Sequence, residues 1–327
     1  MSSLDRILPF LGPIRDLLTD DEITEVMVNA GGQAIFVERR GRLQKVSGRT
    51  VPEHYLVAAI KNIARFCGDE ISEAQPILDA RLEDGSRIAA MFPPCSVAGP
   101  VLTIRRFTRR YSLRDLVEIG SVAADAAQVL ERAVLHRSNI LIAGGTGTGK
   151  TTLLNALAAV IPVGDRLVVI EETSEIYLGN RENVLSFEAR RARPASHDVP
   201  AVDAVTIADL LKATLRHRPD RIVVGEVRGA EAFDLLQALN TGHRGSLTTV
   251  HANSAPEALT RVAHCVARGG VGLPHAAVRE AIASAIHMVV HITRSDVGTR
   301  RVSHILSIEQ FDARLERFVT QDAYTLC

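Results

Sequence analysis

Eight consecutive residues in the middle of the chain match the G-x-x-x-x-G-K-T pattern of a phosphate-binding loop, and a second threonine follows them. The loop therefore comprises Gly144, Gly145, Thr146, Gly147, Thr148, Gly149, Lys150, Thr151 and Thr152. In such a loop the glycines let backbone N–H groups converge on phosphate oxygens, and the N-terminus of the following helix adds partial positive charge. We expect Lys150 to reach the β- and γ-phosphates and the Thr151 hydroxyl to bind Mg²⁺. The sequence therefore predicts a nucleoside triphosphate site with Mg²⁺.

Two other apolar runs end in acidic residues. Leu-Val-Val-Ile precedes Glu171 and Glu172, and Ile-Val-Val-Gly precedes Glu226. Because the carboxyl ends of parallel strands meet at one edge of a sheet, we expect these carboxylates beside the phosphate loop. The ordinary second nucleotide-binding motif has an aspartate where this chain has Gly225. Binding Mg²⁺ and orienting water must then be divided between Glu226 and either Glu171 or Glu172.

A polar segment at 241–253 contains two histidines that are unusual for a core strand. If its strand neighbours the nucleotide strand, His251 is placed to sense the γ-phosphate. His243 has the same interpretation or contacts a neighbouring chain. For both histidines the alternative is a structural one, in which the imidazole caps a helix or bonds a backbone carbonyl.

Three arginines are candidates for phosphate binding. Arg105 and Arg106 lie in a basic run that closes the N-terminal part of the chain, and Arg228 follows Glu226 by two residues. An arginine that reaches a phosphoryl group from another domain or subunit stabilises charge in the transition state. The alternative for the run is an ordinary solvated surface.

The elements that must position these residues fall into two patterns. Residues 1–110 mix helical periodicity with short hairpins, which predicts a small α+β domain. Residues 111–135 read as a helical linker. After Asn139, apolar strands alternate with helices as far as residue 286, which predicts that 136–327 is an α/β domain with a doubly wound, mostly parallel sheet.

Composition excludes several classes of protein. The chain has 38 basic and 38 acidic residues, no Trp and 4% aromatic residues, so direct nucleic-acid binding is not expected. Its four cysteines show no C-x-x-C spacing, which argues against a zinc or redox site. No run of 18 apolar residues predicts a membrane-spanning helix. The apolar N-terminal helix has two interpretations, core packing or contact with a membrane surface, and we expect core packing.

Four segments together resemble the boxes of the type II/type IV secretion ATPase family. They are GGTGTGKT (144–151), VIEETSEI (169–176), RPDRIVVGEVRGAEA (218–232) and TGHRGSLTTVHANS (241–254). Two N-terminal segments, 23–43 and 82–107, are similar to the TrbB branch of conjugative-transfer ATPases. A tetracysteine zinc site, frequent in the type II pilus-assembly branch, is absent from the sequence.

The resemblance implies a RecA-like ATP-binding domain, covered by the N-terminal domain, in a ring-shaped homohexamer. It implies Mg²⁺-ATP hydrolysis in the cytoplasm at the inner membrane, coupled to domain motion that powers secretion or conjugation proteins. It assigns Glu171 as the water-activating base, Glu226 as the second acidic motif, and His243 and His251 as the histidine box. It assigns Arg105 and Arg106 as phosphate contacts from the other domain.

Three other functions remain open from the sequence. A short pilus-assembly motor of the Tad or type II kind would share these boxes. A DNA translocase on the same fold would need a basic channel with stacking aromatics. A nucleotide-gated scaffold would bind ATP without turnover, whereas a GTP switch lacks support because neither N-K-x-D nor D-x-x-G occurs in the sequence.

Overall fold

Two units make up the fold, Met1–Arg109 and Arg110–Cys327. Their geometry comes from a computed structural model, which describes residues 6–82, 85–106, 111–179, 181–190, 192, 201–295 and 298–326. Each unit has its own buried apolar core.

The first unit is an antiparallel sheet with helices. Its strands are β1 (Ile23–Asn29), β2 (Ala34–Arg39), β3 (Arg42–Lys45), β4 (Ile77–Arg81), β5 (Arg87–Met91) and β6 (Val101–Arg105). They lie in the order β3-β2-β1-β6-β5-β4, and every neighbouring pair is antiparallel. The helices are α1 (Arg15–Thr19) and α2 (Glu53–Phe66), with 3₁₀ turns at Leu8–Ile14 and Ala30–Gly32.

Helical spacing explains how the core of the first unit is filled. Leu56, Ile60 and Ile63 recur on one face of α2 and are almost completely buried. The N-terminal side chains of Leu8 and Leu11 are buried in the same core. Burying a leucine side chain stabilises a fold by roughly 1.5–3 kcal/mol. This burial agrees with core packing of the N-terminal segment.

The second unit is built on an eight-stranded sheet. Its strands are β7 (Ile140–Gly144), β8 (Leu167–Glu171), β9 (Val184–Glu188), β10 (Arg221–Val227), β11 (Leu247–His251), β12 (Met288–Arg294), β13 (Arg300–Asp312) and β14 (Arg317–Thr325). The order is β14-β13-β12-β7-β11-β10-β8-β9. Pairing is parallel from β12 to β9, while β12, β13 and β14 pair antiparallel.

The helices of this unit either precede β7 or lie between its parallel strands. They are α3 (Leu113–Glu118), α4 (Ala124–Leu135), α5 (Lys150–Val160), α6 (Ile207–Thr214), α7 (Glu231–Asn240), α8 (Ala255–Arg268) and α9 (His275–Ala285). All five residues of β7 and of β8 are buried, as expected for parallel strands covered on both faces. Within the described ranges, every helix is too short or too polar to cross a bilayer.

The parallel arrangement decides where the chemistry takes place. The carboxyl ends of β7, β8, β10 and β11 lie at one edge of the sheet. The phosphate loop follows β7, and Glu171, Glu226 and His251 lie among the last residues of β8, β10 and β11. This edge is therefore where the candidate site has to be assembled.

Candidate functional site

The phosphate loop joins the end of β7 to the start of α5, and its backbone requires glycine. Gly147 and Gly149 have φ angles of 69° and 98°, in the left-handed region that other residues rarely adopt. A Cβ atom on Gly144 would lie 2.5 Å from the carbonyl oxygen of Ile292 on β12. The Thr148 hydroxyl closes the turn by donating to the Gly145 carbonyl at 2.9 Å.

Lys150 begins α5 and turns its ammonium group back onto the loop. Its Nζ atom donates to the carbonyl oxygens of Gly144 at 3.1 Å and Gly145 at 2.9 Å, and it lies 3.3 Å from Nδ1 of His251. Burial lowers the pKa of Lys150, and the nearby Glu226 carboxylate offsets part of that effect. The loop thus holds a buried cation where the pattern predicts a phosphate-binding lysine.

Glu226 links this lysine and histidine to an arginine. Its Oε2 atom accepts a hydrogen bond from Arg228 at 2.8 Å. Its Oε1 atom lies 2.9 Å from Nε2 of His251, but the alignment is not that of a hydrogen bond, and Oε1 is a buried acceptor without a donor. Arg228 also donates to Glu172 at 2.7 Å, and its hydrogen bond with Glu226 raises the Arg228 pKa.

His251 ends β11, the strand between β7 and β10. Burial lowers the pKa of His251, and the attraction of Glu226 opposes that shift. The imidazole lies between the ammonium group and the carboxylate, 3.3 Å from Nζ of Lys150 and 2.9 Å from Oε1 of Glu226. Five predicted site residues, Lys150, His251, Glu226, Arg228 and Glu172, are therefore joined in one chain of polar contacts.

A local irregularity of β10 aims Glu226 at the loop. The register between β10 and β11 shifts between Val224 and Val227, as at a β-bulge. The Thr249 hydroxyl on β11 donates to the Gly225 carbonyl at 2.8 Å and fixes this turn of the strand. Thr249 lies inside the polar segment recognised in the sequence, although its partner is distant in the chain.

Glu171 packs closely against Gly225 and leaves little space for a side chain there. A Cβ atom at position 225 would lie 3.0 Å from Cγ of Glu171 and 3.4 Å from its Oε1. The position where the ordinary motif has an aspartate is therefore filled by a glutamate from the neighbouring strand β8. This packing explains the unexpected glycine in the sequence.

Glu171 is buried and accepts hydrogen bonds from the backbone of the segment that follows it. It is 4% exposed, and its carboxylate accepts backbone N–H groups from Glu175 at 2.8 Å and Ile176 at 3.1 Å. These bonds hold the segment containing Glu172, which in turn pairs with Arg228. In this structure Glu171 therefore anchors the backbone, and Glu226 is the carboxylate that faces the lysine and histidine.

His243 lies away from the site of its own chain. It follows α7 and precedes β11, so it is at the amino edge of the sheet, whereas the phosphate loop is at the carboxyl edge. Its Nδ1 atom is 3.0 Å from the carbonyl oxygen of Ala238, and its own carbonyl accepts from Ser246 at 2.9 Å. Within its own chain His243 is bonded to the end of α7, and its contact with a phosphate or a neighbouring chain stays a prediction.

Arg105 and Arg106 belong to the first unit. Arg105 is exposed at the end of β6, in register with Glu25 and Arg87 on the neighbouring strands. The Arg106 side chain is 11% exposed and donates to the carbonyl oxygens of Asp20 and Ile23. Arg106 is therefore held inside its own unit, and Arg105 is the more accessible of the two.

The residues at the loop fit a Mg²⁺-nucleotide. Among the described residues there is no cluster of three or more His, Cys, Asp or Glu side chains that would hold a metal ion by itself. Mg²⁺ is usually bound by one or two protein oxygens together with substrate phosphates. Thr151 and Thr152 lie in the first turn of α5. The Oε1 atom of Glu226 is a buried acceptor beside Lys150 that accepts no hydrogen bond.

Sequence reasoning missed a contact from the far end of the chain. The Nε atom of Arg300, at the start of β13, donates to the Gly147 carbonyl at 2.9 Å. Nothing near Arg300 in the sequence signals this contact, because the two residues are 153 positions apart.

Comparisons with known proteins agree with the predicted family and fold. The family described as "Type II/IV secretion system protein" matches residues 10–322. The chain is 38% identical over 299 residues to "Conjugal transfer protein TrbB" of Rhizobium radiobacter, covering 90% of this chain and 86% of that protein. It is 34% identical over 309 residues to "Type IV secretion system protein VirB11" of Brucella suis, covering 86% and 84%.

Among solved structures, the pilus retraction motor PilT with bound ADP matches with a TM-score of 0.61 and 20% identity. The match covers 91% of this chain and 81% of that chain, and it shows the fold alone. The predicted α/β fold, with a RecA-like P-loop sheet and a smaller N-terminal α+β part, is confirmed. The chain belongs to the Type II/IV secretion system protein family of ATPases.

Proposed function

We propose that this protein binds Mg²⁺-ATP at the phosphate loop and hydrolyses it to power a type IV secretion machine of the conjugative-transfer class. One observation carries the proposal. Lys150, His251 and Glu226 are joined at the carboxyl edge of the sheet, directly beside the loop. The names of the relatives at 34–38% identity support the biological system, whereas the likeness to a pilus motor shows only the fold.

Nucleotide binding would exchange one set of Lys150 partners for another. In this structure, loop carbonyls bind the Nζ atom. Phosphate oxygens are stronger acceptors for an ammonium group than neutral carbonyls are. Because burial disfavours the charged lysine, an anionic phosphate would restore its full stabilisation. Lys150 thus orients the β- and γ-phosphates above the N-terminus of α5.

Thr151 and Glu226 are the residues proposed to hold Mg²⁺ with the nucleotide. A bound Mg²⁺ neutralises charge that develops on the phosphate oxygens. The Oε1 atom of Glu226 accepts no hydrogen bond. This supports the assignment, because burying a carboxylate oxygen without a donor costs free energy of folding unless a cation or water binds it.

Orientation of the attacking water is proposed for Glu226 together with His251. Glu171, the base implied by the resemblance, would first have to release the backbone N–H groups of Glu175 and Ile176. We therefore propose that Glu171 contributes chiefly by holding the segment in which Glu172 binds Arg228.

Assembly and coupling are also proposals. A homohexameric ring and a membrane-peripheral location follow from the family resemblance, and domains at 1–110 and 136–327 joined by 111–135 follow from the sequence pattern. Within that arrangement, Arg105 is the better candidate for a phosphate contact from the other domain, because Arg106 is bonded inside its own unit. Inner-membrane secretion proteins would be the partners that receive the force.

The test is phosphate release by the purified protein with ATP and Mg²⁺, while light scattering reports its mass. We expect slow turnover, a mass near six chains with nucleotide, and loss of turnover in Lys150→Ala. Tight ATP binding without any turnover would favour the nucleotide-gated scaffold. Turnover that rises with the length of added single-stranded DNA would favour the translocase.

A further inference from the structure

The acidic segment, residues 172–179, follows β8 and forms neither helix nor strand. It carries Glu172, the carboxylate that binds Arg228. Without a helix or a sheet, the backbone N–H and C=O groups of such a segment need other partners, because a buried polar group without one costs free energy of folding. Side chains supply several of these partners.

Two side chains hold three consecutive amides of the acidic segment. The Glu171 carboxylate accepts from the N–H groups of Glu175 and Ile176. The Tyr177 N–H donates to Oδ1 of Asn155 on α5 at 3.0 Å. The Nδ2 group of Asn155 in turn donates to the Glu175 carbonyl at 3.4 Å. The segment is thus bonded to its own strand by Glu171 and to the phosphate-loop helix by Asn155.

An asparagine fits this position because its amide has both a donor and an acceptor. One orientation of the Asn155 amide places Oδ1 toward the Tyr177 N–H and Nδ2 toward the Glu175 carbonyl. The reverse orientation would place donor against donor and acceptor against acceptor. Alanine would remove both contacts, whereas aspartate would keep the acceptor alone.

The place of Asn155 on α5 relates these contacts to the nucleotide site. Lys150 and Thr151 are the first two residues of the same helix. Residues four positions apart share a face of an α-helix, so Asn155 lies on the face of Thr151, one turn further along. The face of α5 that carries the proposed Mg²⁺ ligand is therefore the face bonded to the acidic segment.

The acidic segment also leads to the carboxylate proposed to act in hydrolysis. Glu172 binds Arg228 at 2.7 Å, and Arg228 binds Glu226 at 2.8 Å. Asn155 fixes the same segment three to five residues further along the chain. A shift of the segment relative to α5 would therefore move Glu172 and, through Arg228, disturb Glu226.

We propose that Asn155 is a positioning residue for ATP hydrolysis. It holds the acidic segment against the phosphate-loop helix, so that Glu172 keeps Arg228 and Glu226 in place. Asn155 acts through these residues and not by contact with the nucleotide. The inference rests on the proposed function, because it assigns a role in the same reaction.

The experiment measures hydrogen–deuterium exchange without nucleotide, ATP affinity, single-turnover hydrolysis and melting temperature in variants of the full chain. Asn155→Ala removes both hydrogen bonds, and Asn155→Asp keeps the acceptor for the Tyr177 amide. Asn240→Ala is the matched control. Like Asn155, Asn240 lies on a helix and donates to a backbone carbonyl, that of Ala281 at 3.2 Å, but it is at the amino edge of the sheet.

We expect the Tyr177 amide to exchange about fivefold faster in Asn155→Ala, because one hydrogen bond is lost. Hydrolysis should slow about tenfold in this variant, while ATP affinity stays within about twofold of wild type because the contacts of the phosphate loop are kept. Asn155→Asp should regain the protection of the amide and most of the hydrolysis rate. Asn240→Ala should change neither.

A double-mutant cycle tests the route through Glu172. If Asn155 acts through this residue, Asn155→Ala should slow hydrolysis clearly less in a Glu172→Ala background than in the wild type. Additive effects of the two substitutions would overturn the inference, because Asn155 would then act by another route.

Wild-type exchange of the Tyr177 amide in Asn155→Ala, or hydrolysis at the wild-type rate, would overturn the inference while leaving the proposed function intact. Equal losses in Asn155→Ala and Asn155→Asp, with a lower melting temperature in both, would also overturn it, because the residue would then act only in folding. Failure of the wild type to hydrolyse ATP would instead refute the proposed function, and the exchange measurement would still test the contact.

Discussion

Replacing Gly225 by alanine should loosen the segment after β8 without touching any residue that faces the nucleotide. The added Cβ atom would lie 3.0 Å from Cγ of Glu171, whose side chain is 4% exposed and cannot move into solvent. Overpacking of this kind costs about 1–3 kcal/mol. Relief by moving the carboxylate would weaken its bonds to the Glu175 and Ile176 amides.

Hydrogen–deuterium exchange of a peptide covering 171–177 measures this directly. A loss of about 1–3 kcal/mol corresponds to roughly 5- to 150-fold faster exchange of the two amides, if they open locally. Turnover should fall as well, because Glu172 would no longer hold Arg228. Gly164→Ala is the matched control, since a Cβ atom there meets nothing within 4 Å.

A double-mutant cycle of Gly225 and Glu171 separates the packing effect from a general loss of stability. In a Glu171→Ala background the clash is largely removed, so Gly225→Ala should then cost clearly less than it does alone. Exchange of the 171–177 amides in Gly225→Ala that matches wild type or Gly164→Ala would refute the reasoning that Glu171 fills the space beside Gly225.

Three further predictions concern the same unit. Burial lowers the pKa of His287, whose Nδ1 accepts a backbone N–H. As the pH falls, this histidine therefore becomes protonated in the unfolded chain before it does in the folded one. The melting temperature should drop as the pH falls through about 6.5, and it should drop less in His287→Gln. Thr249→Val removes the donor to the Gly225 carbonyl and should reduce stability by about 1 kcal/mol and slow turnover, measured by denaturation and phosphate release. Asp165→Ala leaves the buried Arg221 guanidinium without its carboxylate and should cost about 3–5 kcal/mol, seen as a large fall in melting temperature; an unchanged value would contradict that ion pair's role.

The sequence was sufficient for the parts of the site that depend on local pattern. A glycine-rich loop between an apolar strand and a helix predicts a phosphate loop, and Lys150 lies where that pattern places it. The carboxyl ends of parallel strands share an edge, so Glu226 and His251 could be placed beside the loop without knowing their partners.

The other contacts of the site depend on distances in the folded chain that no short sequence pattern indicates. His243 and His251 occur in one segment, but β11 separates them to opposite edges of the sheet, which a motif alone does not reveal. The contact of Arg300 with Gly147 joins positions that meet only after the sheet forms. The hydrogen bonds of Glu171 to Glu175 and Ile176 are local, but no motif in the sequence indicates them. The antiparallel strands β13 and β14 were not predicted, because the alternating pattern of strands and helices ends before them.

The central claim is that Glu226, beside Lys150 and His251, supports hydrolysis and not merely binding. The most direct measurement is single-turnover ATP hydrolysis by Glu226→Gln, with ATP affinity measured on the same preparation. We expect affinity within a fewfold of wild type and hydrolysis slowed about 100-fold or more. Hydrolysis at the wild-type rate by Glu226→Gln would contradict it.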